Sequence, residues 1–297
     1  MVNFKCANCA GEMAVSRIGD LKCPYCGSRQ FFNDHELQEY KMFRKRILEY
    51  LSAAADDESA EGYLECLWSD YETEVLTDKN GTDITIQYIY KSIEEGISMY
   101  AARRNVIYIF PKDKSQMADM AVRQLSEVTF PQADMKGLRR SFPDFAGKYE
   151  LADERVMLVY SKDENLHPVA MFGTLPAKHV EWIISRLENI ACVLAFCDKC
   201  HGGITREAVY INTKTHEAAL YGNWHKAGEQ INGAKQDIKD IRMVATALLG
   251  EKYGDAPHPL IEFLESKPRE NAYEDFEMWD KVIEEELGGR HFTKFTM

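Results

Sequence analysis

CDKCHGGITREAVYIN, residues 197 to 212, gives the clearest indication of how the second half of the chain folds. An apolar-striped segment that begins at Pro176 leads into it, and proline is favourable at the first position of a helix. After His201 come a Gly-Gly turn, a short strand at AVYI, a turn at NTKTH and a second short strand at EAALY. The order predicts a long helix, a loop and a small hairpin.

The two cysteines of this segment allow several interpretations. Cys197-x-x-Cys200 has the spacing of a metal or redox pair, and His201 extends it to the C-x-x-C-H string of haem attachment. Haem attachment belongs to oxidising compartments, and a redox pair follows a strand in a βαβ unit, which is not the context here. A second metal site that adds Cys192 lacks a clear fourth ligand and stays an alternative. We interpret Cys197 and Cys200 as buried thiols, since free cysteine is among the most buried residue types.

From His201 onward the segment resembles the catalytic loop of protein kinases. The family pattern is H-R-D-L-K-P-E-N-I-L-L, and this chain has HGGITREAVYI. The later segment QDIKDIRMVATALLG resembles the family's buried helix, whose aspartate, here Asp237, supports the backbone of the loop. The loop positions that keep the family's character are His201, Ile204, Glu207, Val209 and Ile211.

The residues that perform the kinase chemistry are missing from this pattern. Gly203 stands where the resemblance places the catalytic aspartate, and Ala208 where it places the asparagine that holds magnesium. Tyr221 stands at the aspartate of the D-F-G triplet, and a phenol cannot replace a carboxylate as ligand of a hard cation. The resemblance therefore implies a kinase-like domain that is not an enzyme.

The preceding region has the pattern of a small α+β unit. TDITIQYIY and NVIYIF are strand-like, and KSQMADMAVRQLSEV is helical with an apolar stripe that includes Met117 and Met120. Two further strands flank a turn at Asp153 and Glu154. NVIYIF resembles the third strand of a kinase N-terminal lobe, which makes Lys112 a weak candidate for the nucleotide-binding lysine. No glycine-rich phosphate loop precedes it.

The first 33 residues carry two C-x2-C pairs separated by thirteen residues. Two residues between cysteines let both sulfurs of one turn reach the same ion, and two such turns supply the four thiolates of a structural zinc site. The segment resembles a zinc ribbon that binds one structural zinc ion. The predicted ligands are Cys6, Cys9, Cys23 and Cys26.

A helical connector is predicted to follow the ribbon. Asp34 can cap a helix that runs to about Ala55, with one apolar face. Lys41, Arg44, Lys45 and Arg46 lie on this helix, and we interpret them as a solvated polar face. Contact with nucleic acid is the alternative interpretation.

Composition limits the class of protein. The chain has 297 residues, of which 45% are hydrophobic and 28% charged, as in globular proteins that bury a core. A net charge of -12 argues against nonspecific binding to nucleic acid or to an anionic membrane. No apolar stretch approaches the roughly 20 residues of a membrane-spanning helix, and the start lacks a signal-peptide pattern. We expect a cytoplasmic protein.

The combined expectation is an α+β chain with three parts. These are a zinc ribbon over 1–33, a helical connector over 34–74 and a two-lobed kinase-like domain over 75–297, with the lobes divided near residue 170. The expected function is binding of a protein partner, with only weak support for nucleotide binding and none for a membrane. One alternative is a divergent ATP-dependent phosphotransferase that uses Asp198 or Asp237 as its base, and another is a nucleic-acid-binding zinc-ribbon protein.

Overall fold

The computed structural model describes residues 2–6, 8–9, 11–15, 19–32, 68, 71–130, 133–250, 253–254, 256–290 and 295. Two compact units divide the chain: Met1–Asp56 with Thr129–Arg139, and Asp57–Val128 with Arg140–Met297. The predicted connector helix and its basic run lie outside the described residues, and the predicted boundaries of the three parts stay predictions.

The first unit contains two small hairpins. β1 (Val2–Lys5) pairs with β2 (Glu12–Val15), and β3 (Gly19–Lys22) pairs with β4 (Arg29–Phe32), both antiparallel. Each C-x2-C pair occupies the turn of one hairpin, so the strands present the cysteines in pairs. Strands of four residues bury little apolar surface. Most of the stabilisation of these hairpins must therefore come from an ion bound by the cysteines of the two turns.

The second unit begins with a six-stranded antiparallel sheet in the order β5-β6-β7-β8-β10-β9. A helix, α1 (Ser115–Ser126), follows β8 and packs against β8 and β10. The strands are β5 (Glu72–Thr77), β6 (Asp83–Glu94), β7 (Ile97–Ala102), β8 (Asn105–Phe110), β9 (Asp144–Glu150) and β10 (Val156–Ser161).

The two edges of this sheet meet at one end. Asp78 and Leu151 form a β-bridge, and the Ala152 N–H donates to the Thr77 carbonyl at 2.9 Å. The sheet is therefore an incompletely closed barrel, and closure removes part of the exposed strand edge. Its apolar interior consists of Leu76, Ile86, Tyr88, Tyr100, Ala102, Ile107, Ile109, Leu151 and Met157.

The opposite face of the sheet packs on α1. Alternation along β8 places Tyr108 and Phe110 on this face, beside Ala121 of the helix. The apolar stripe predicted for this helix included Met120, but Met120 is 46% exposed. The buried residues of α1 include Ala118 and Leu125, so the buried face differs from the predicted one.

The remainder of the second unit is mainly helical, which confirms a β-rich half followed by a helical half. A three-stranded sheet is formed by β11 (Leu166–Pro168), β12 (Val209–Asn212) and β13 (Glu217–Leu220), so the predicted hairpin is present. The helices are α2 (Ala177–Phe196), α3 (Gly233–Leu249), α4 (His258–Glu265) and α5 (Ala272–Lys281), followed by a π-helical turn at Val282–Glu286. Within the described part of the chain, no helix has the length and apolarity needed to cross a bilayer.

Helix α2 lies at the centre of this half and packs against α3 and α5. Arg242 of α3 donates to both carboxylate oxygens of Asp275 in α5 at 2.9 Å, and both side chains are buried. Glu188 of α2 is fully buried near this pair. Burial, followed by the negative charge of Asp275, raises the pKa of Glu188 well above its ordinary value, while Arg242 lowers it.

Glu188→Gln should increase the stability of the protein at neutral pH. The folded protein keeps a proton on Glu188 that the unfolded chain releases above about pH 4.3, so the wild type loses stability as pH rises toward the folded pKa. The glutamine variant has no titrating group at this position and does not lose stability in this way. The difference in unfolding free energy between variant and wild type should therefore grow by up to about 1.4 kcal/mol per pH unit between about pH 4.3 and the folded-state pKa. Urea unfolding at pH 5, 6 and 7 measures it.

Glu229→Gln is the matched control, because Glu229 is exposed. It should leave the pH dependence of the unfolding free energy unchanged. A Glu188→Gln variant with the same pH dependence as the wild type would contradict the assignment of a buried proton to Glu188.

Candidate metal centre and candidate cleft

The four predicted zinc ligands lie together, as the sequence spacing predicts. The Sγ atoms of Cys6, Cys9, Cys23 and Cys26 all lie within 4.8 Å of one another. The Cys6–Cys26 and Cys9–Cys23 sulfur pairs are 3.6 and 3.7 Å apart. A tetrahedron with Zn–S bonds of about 2.3 Å has sulfur–sulfur edges of about 3.8 Å, so these separations fit one zinc ion.

Backbone hydrogen bonds shape the two cysteine turns. The Cys6 N–H donates to the Gly11 carbonyl at 2.9 Å, and the Cys23 N–H donates to the Ser28 carbonyl at 2.7 Å. Gly27 has φ of +74°, a conformation that glycine adopts without the strain of a Cβ atom.

The thiols of the cluster differ in how easily they ionise. The Ser28 hydroxyl lies 3.1 Å from the Cys26 sulfur, and this hydrogen bond is the main cause that lowers the pKa of Cys26 to about 5. For Cys9, a backbone hydrogen bond from Gly11 lowers the pKa, but the neighbouring sulfurs and burial raise it to about 12. Four sulfurs this close need a cation before all of them can be thiolates.

The loop after α2 is held by Asp237 of α3. This carboxylate is 1% exposed and accepts hydrogen bonds from the His201 N–H at 2.6 Å and the Gly202 N–H at 2.9 Å. Burial raises the pKa of Asp237 to about 6, against the lowering effect of these two hydrogen bonds. Gly202 has φ of +73°, and a Cβ there would approach the Lys226 carbonyl to 3.2 Å, so the loop path requires glycine.

His201 lies beneath the loop in an apolar environment. Its ring is fully buried and contacts the Trp224 ring edge-on, with centroids 5.2 Å apart. Burial lowers the pKa of His201 to about 3, so the imidazole is neutral at physiological pH. The environment makes this histidine a packing residue.

Gly203, Ala208 and Tyr221 pack against neighbouring residues of the loop and of the segment after β13. Gly203 accepts a hydrogen bond on its carbonyl from the Asn223 side chain at 3.2 Å. A Cβ built on Gly222 would come within 2.5 Å of the Ala208 Cβ, so Ala208 and Gly222 are in close contact. The Tyr221 N–H donates to the Ala208 carbonyl at 2.8 Å. The loop and the segment after β13 therefore pack directly on each other.

Tyr221 extends from the hairpin toward the barrel. Its hydroxyl donates to the Ser161 carbonyl at the end of β10, at 2.9 Å, and its ring lies 4.8 Å from the ring of Tyr210. Tyr108 of β8 and Tyr160 of β10 are buried nearby, with ring centroids 6.0 Å apart. Aromatic side chains thus fill the space between the barrel and the hairpin.

The turn between β6 and β7 closes the remaining opening. Glu94 accepts hydrogen bonds from Asn223 at 3.1 Å and from Lys226 at 2.9 Å, and Glu95 pairs with Lys226 at 3.2 Å. Burial raises the pKa of Glu94, but the Lys226 and Asn223 hydrogen bonds and the Lys226 charge outweigh it, so the pKa is lowered and the carboxylate is ionised. We call these contacts the turn latch.

Two small cavities are left under the turn latch. One has a volume of about 20 Å³ and is lined by residues that include Glu94, Tyr108, Glu207 and Asn223. The other, of about 10 Å³, lies between Tyr160 and His225. A single water needs about 10–15 Å³, whereas ligand pockets occupy roughly 300–1,000 Å³. Each of these two cavities is therefore large enough for about one water molecule and much smaller than a typical ligand pocket.

Lys112 lies away from this cleft. It begins a 3-10 turn, its side chain is 69% exposed, and it pairs with Glu154. It does not line either small cavity. Glu127, which follows α1, pairs with Lys199 at 2.6 Å. The β8 side chains that line these cavities are Tyr108, which lines both, and Phe110, which lines the smaller one.

Cys197 and Cys200 are both buried at the end of α2. The Cys200 thiol donates to the Gly228 carbonyl at 3.2 Å, and burial raises its pKa to about 11. Among the described residues, the only cluster of metal-ligating side chains is the set of four cysteines near the N-terminus.

Sequence reasoning missed the residues that close the cleft. Glu94 lies 129 residues from Asn223 and 132 residues from Lys226 in the sequence, and no local pattern links it to them. The alternation along NVIYIF was a usable signal for Tyr108, because residues 106, 108 and 110 must share one face.

Comparison with known proteins gives no family for the chain. No family description and no curated protein matches it. Solved structures of WbdD resemble it weakly: a 2.2 Å crystal structure has a TM-score of 0.45 and 13% identity over 72% of this chain and 53% of that one. A co-crystal structure of WbdD with the kinase inhibitor LY294002 has a TM-score of 0.45 and 13% identity over 78% and 59%.

A third structure, of the bifunctional kinase-methyltransferase WbdD, has a TM-score of 0.45 and 14% identity over 71% of this chain and 50% of that one. The chain thus spans between half and three fifths of the length of these structures. Similarity at this level carries no argument about function.

One zinc ion per chain is the expected metal content. Removal of the metal with a chelator should unfold the ribbon, because so small a unit depends on the metal for its folding free energy. Cys23→Ser should lose the zinc, since the thiolate is the ligand, and Cys197→Ser should keep it. Elemental analysis of the purified chains measures the ratio. Two zinc ions per wild-type chain, or full zinc content in Cys23→Ser, would contradict the assignment.

Proposed function

We propose that residues 75–297 form a protein-kinase-like domain without catalytic activity, which acts by binding a protein partner, and that residues 1–33 form a structural zinc ribbon. Such a domain has a small β-rich lobe and a larger helical lobe, with the active-site loop between them. The present barrel, with α1 after β8, and the helical half that follows are consistent with that division. The Asp237 contact to the loop backbone also fits the role that the kinase resemblance gives this residue.

The observation that carries the proposal is the side chain of Tyr221. A kinase needs a carboxylate at this position to hold magnesium on the phosphates. Tyr221 instead donates to the Ser161 carbonyl across the cleft and lines a cavity of only about 10 Å³. Gly203 and Ala208 add neither a base nor a metal ligand. Loss of all three groups together supports a role in binding.

The rival proposal is a phosphotransferase with relocated acids. Asp237 fits this role poorly, because it is buried and both of its oxygens accept hydrogen bonds from the loop. Asp198 is exposed in a left-handed turn, with φ of +55°, and does not line the cleft. The proposal of a protein partner rests on the net charge of -12, which disfavours nucleic acid, and on the loss of the catalytic groups. A cytoplasmic location is proposed from the sequence alone.

Magnesium-ATP should neither stabilise the protein nor serve as a phosphate donor. A ligand present at 100 times its Kd would add about 2.7 kcal/mol to the stability and raise the Tm by several degrees. We expect no change in Tm and no transfer of radioactive phosphate from ATP. A protein partner recovered with the wild-type chain should be recovered equally with Lys112→Met, because binding needs no phosphate transfer.

Lys79→Met is the matched control for Lys112→Met, since both lysines are exposed and ion-paired. A saturable, magnesium-dependent rise in Tm, together with phosphate transfer that Lys112→Met abolishes and Lys79→Met retains, would establish the rival phosphotransferase.

A further inference from the structure

A cavity of about 540 Å³ opens at one mouth of the barrel. It lies beside the turn Arg103–Arg104, which joins β7 to β8, and its volume is within the range of roughly 300–1,000 Å³ typical of small-molecule sites. The mouths of β-barrels are a preferred location for such sites. None of the residues that line this cavity lines the closed cleft.

The floor of the barrel-mouth cavity is apolar. Ile86, Ala102 and Ile107 form it, and all three belong to the buried interior of the barrel. Trp68 and Tyr71 add aromatic surface to the walls. An apolar group of a ligand would therefore be removed from water when it enters.

The rim of the barrel-mouth cavity consists largely of hydrogen-bond donors. The Arg103 and Arg104 side chains are 65% and 78% exposed, and they share one carboxylate, that of Glu164, at 3.5 and 3.6 Å. One carboxylate for two guanidinium groups leaves a local positive charge in a chain whose net charge is -12. The Trp68 indole N–H is buried and has no acceptor among the described residues. No lining residue that the structure describes carries a carboxylate.

Hydrogen bonds from Lys162 hold the backbone of the Arg103–Arg104 turn. The Lys162 side-chain nitrogen donates to the Arg103 carbonyl at 2.8 Å, and the Lys162 backbone N–H donates to the Arg104 carbonyl at 3.0 Å. These bonds hold the Arg103–Arg104 turn, so little backbone ordering opposes binding.

We propose that the barrel-mouth cavity binds a small amphipathic anion. Its apolar body rests on Ile86, Ala102 and Ile107, and its carboxylate or phosphate head accepts hydrogen bonds from Arg103 and Arg104. Guanidinium groups bind carboxylates and phosphates alike through paired N–H donors, so either head group can occupy this site. The inference does not depend on the proposed function, since it uses no residue of the cleft.

Calorimetric titration of the full chain with octanoate and with phenyl phosphate tests the proposal. We expect saturable binding of at least one, and comparison of the two distinguishes a carboxylate head from a phosphate head. Octanol has the apolar chain of octanoate without its charge, and inorganic phosphate has the charge of phenyl phosphate without its apolar ring. Octanol should therefore bind more weakly than octanoate, and inorganic phosphate more weakly than phenyl phosphate.

Substitution of the rim should weaken binding selectively. The double variant Arg103→Gln/Arg104→Gln should lose about tenfold or more in affinity, because it removes both charged donors that the anionic head would accept hydrogen bonds from. Arg140→Gln is the control, since Arg140 is also an exposed, ion-paired arginine but lies elsewhere in this unit. A circular-dichroism melt confirms that the variants are folded.

Three results would overturn the proposal. They are no binding of either anion to the wild-type chain, equal binding by the folded double variant, and binding of octanol as tight as that of octanoate.

Discussion

The buried carboxylate of Asp237 is the contact on which the loop between α2 and β12 depends. Hydrogen bonds from the His201 and Gly202 N–H groups satisfy two backbone donors that the turn would otherwise bury unpaired. The turn at Gly202 then places His201 under the loop against Trp224. Because a charged acceptor in a low-dielectric site is costly unless it is fully paired, this arrangement is stable only as a whole.

The segment after β13 packs between the hairpin and the barrel, where ring packing and a hydrogen bond hold it in place. The exposed ion pairs of this region contribute less to the stability of the arrangement. Tyr221 is buried and its hydroxyl is paired, so its ring is fixed between the hairpin and the barrel. The turn latch is partly exposed at Glu94 and Glu95, and ion pairs of that kind contribute about 0–1 kcal/mol each. The closed cleft therefore rests mainly on aromatic packing, and the latch positions the β6–β7 turn over it.

Local patterns predicted much of the chain. The cysteine spacing anticipated the four-sulfur cluster, the stripe after Pro176 anticipated α2, and the alternation in NVIYIF matched β8 exactly as Asn105–Phe110. Strands β5 and β7 and the bridge from Asp78 to Leu151 were not predicted, because barrel closure joins residues that are far apart in sequence. The barrel-mouth cavity was missed for the same reason: Trp68, Ile86 and Arg103 come together only after the sheet curls. Met120 was misplaced because methionine favours apolar surroundings without requiring them.

Hydrogen exchange at the His201 and Gly202 amides tests most directly whether Asp237 holds the backbone of the loop between α2 and β12. In the wild-type protein these amides should exchange only through global unfolding, at the rate of the most protected amides of α2 and α3. In Asp237→Asn they should exchange about a hundredfold or more faster, relative to those helices, because the amide side chain offers one acceptor for two donors. Rapid exchange of both amides in the wild type, or an unchanged ratio in the variant, would contradict the account.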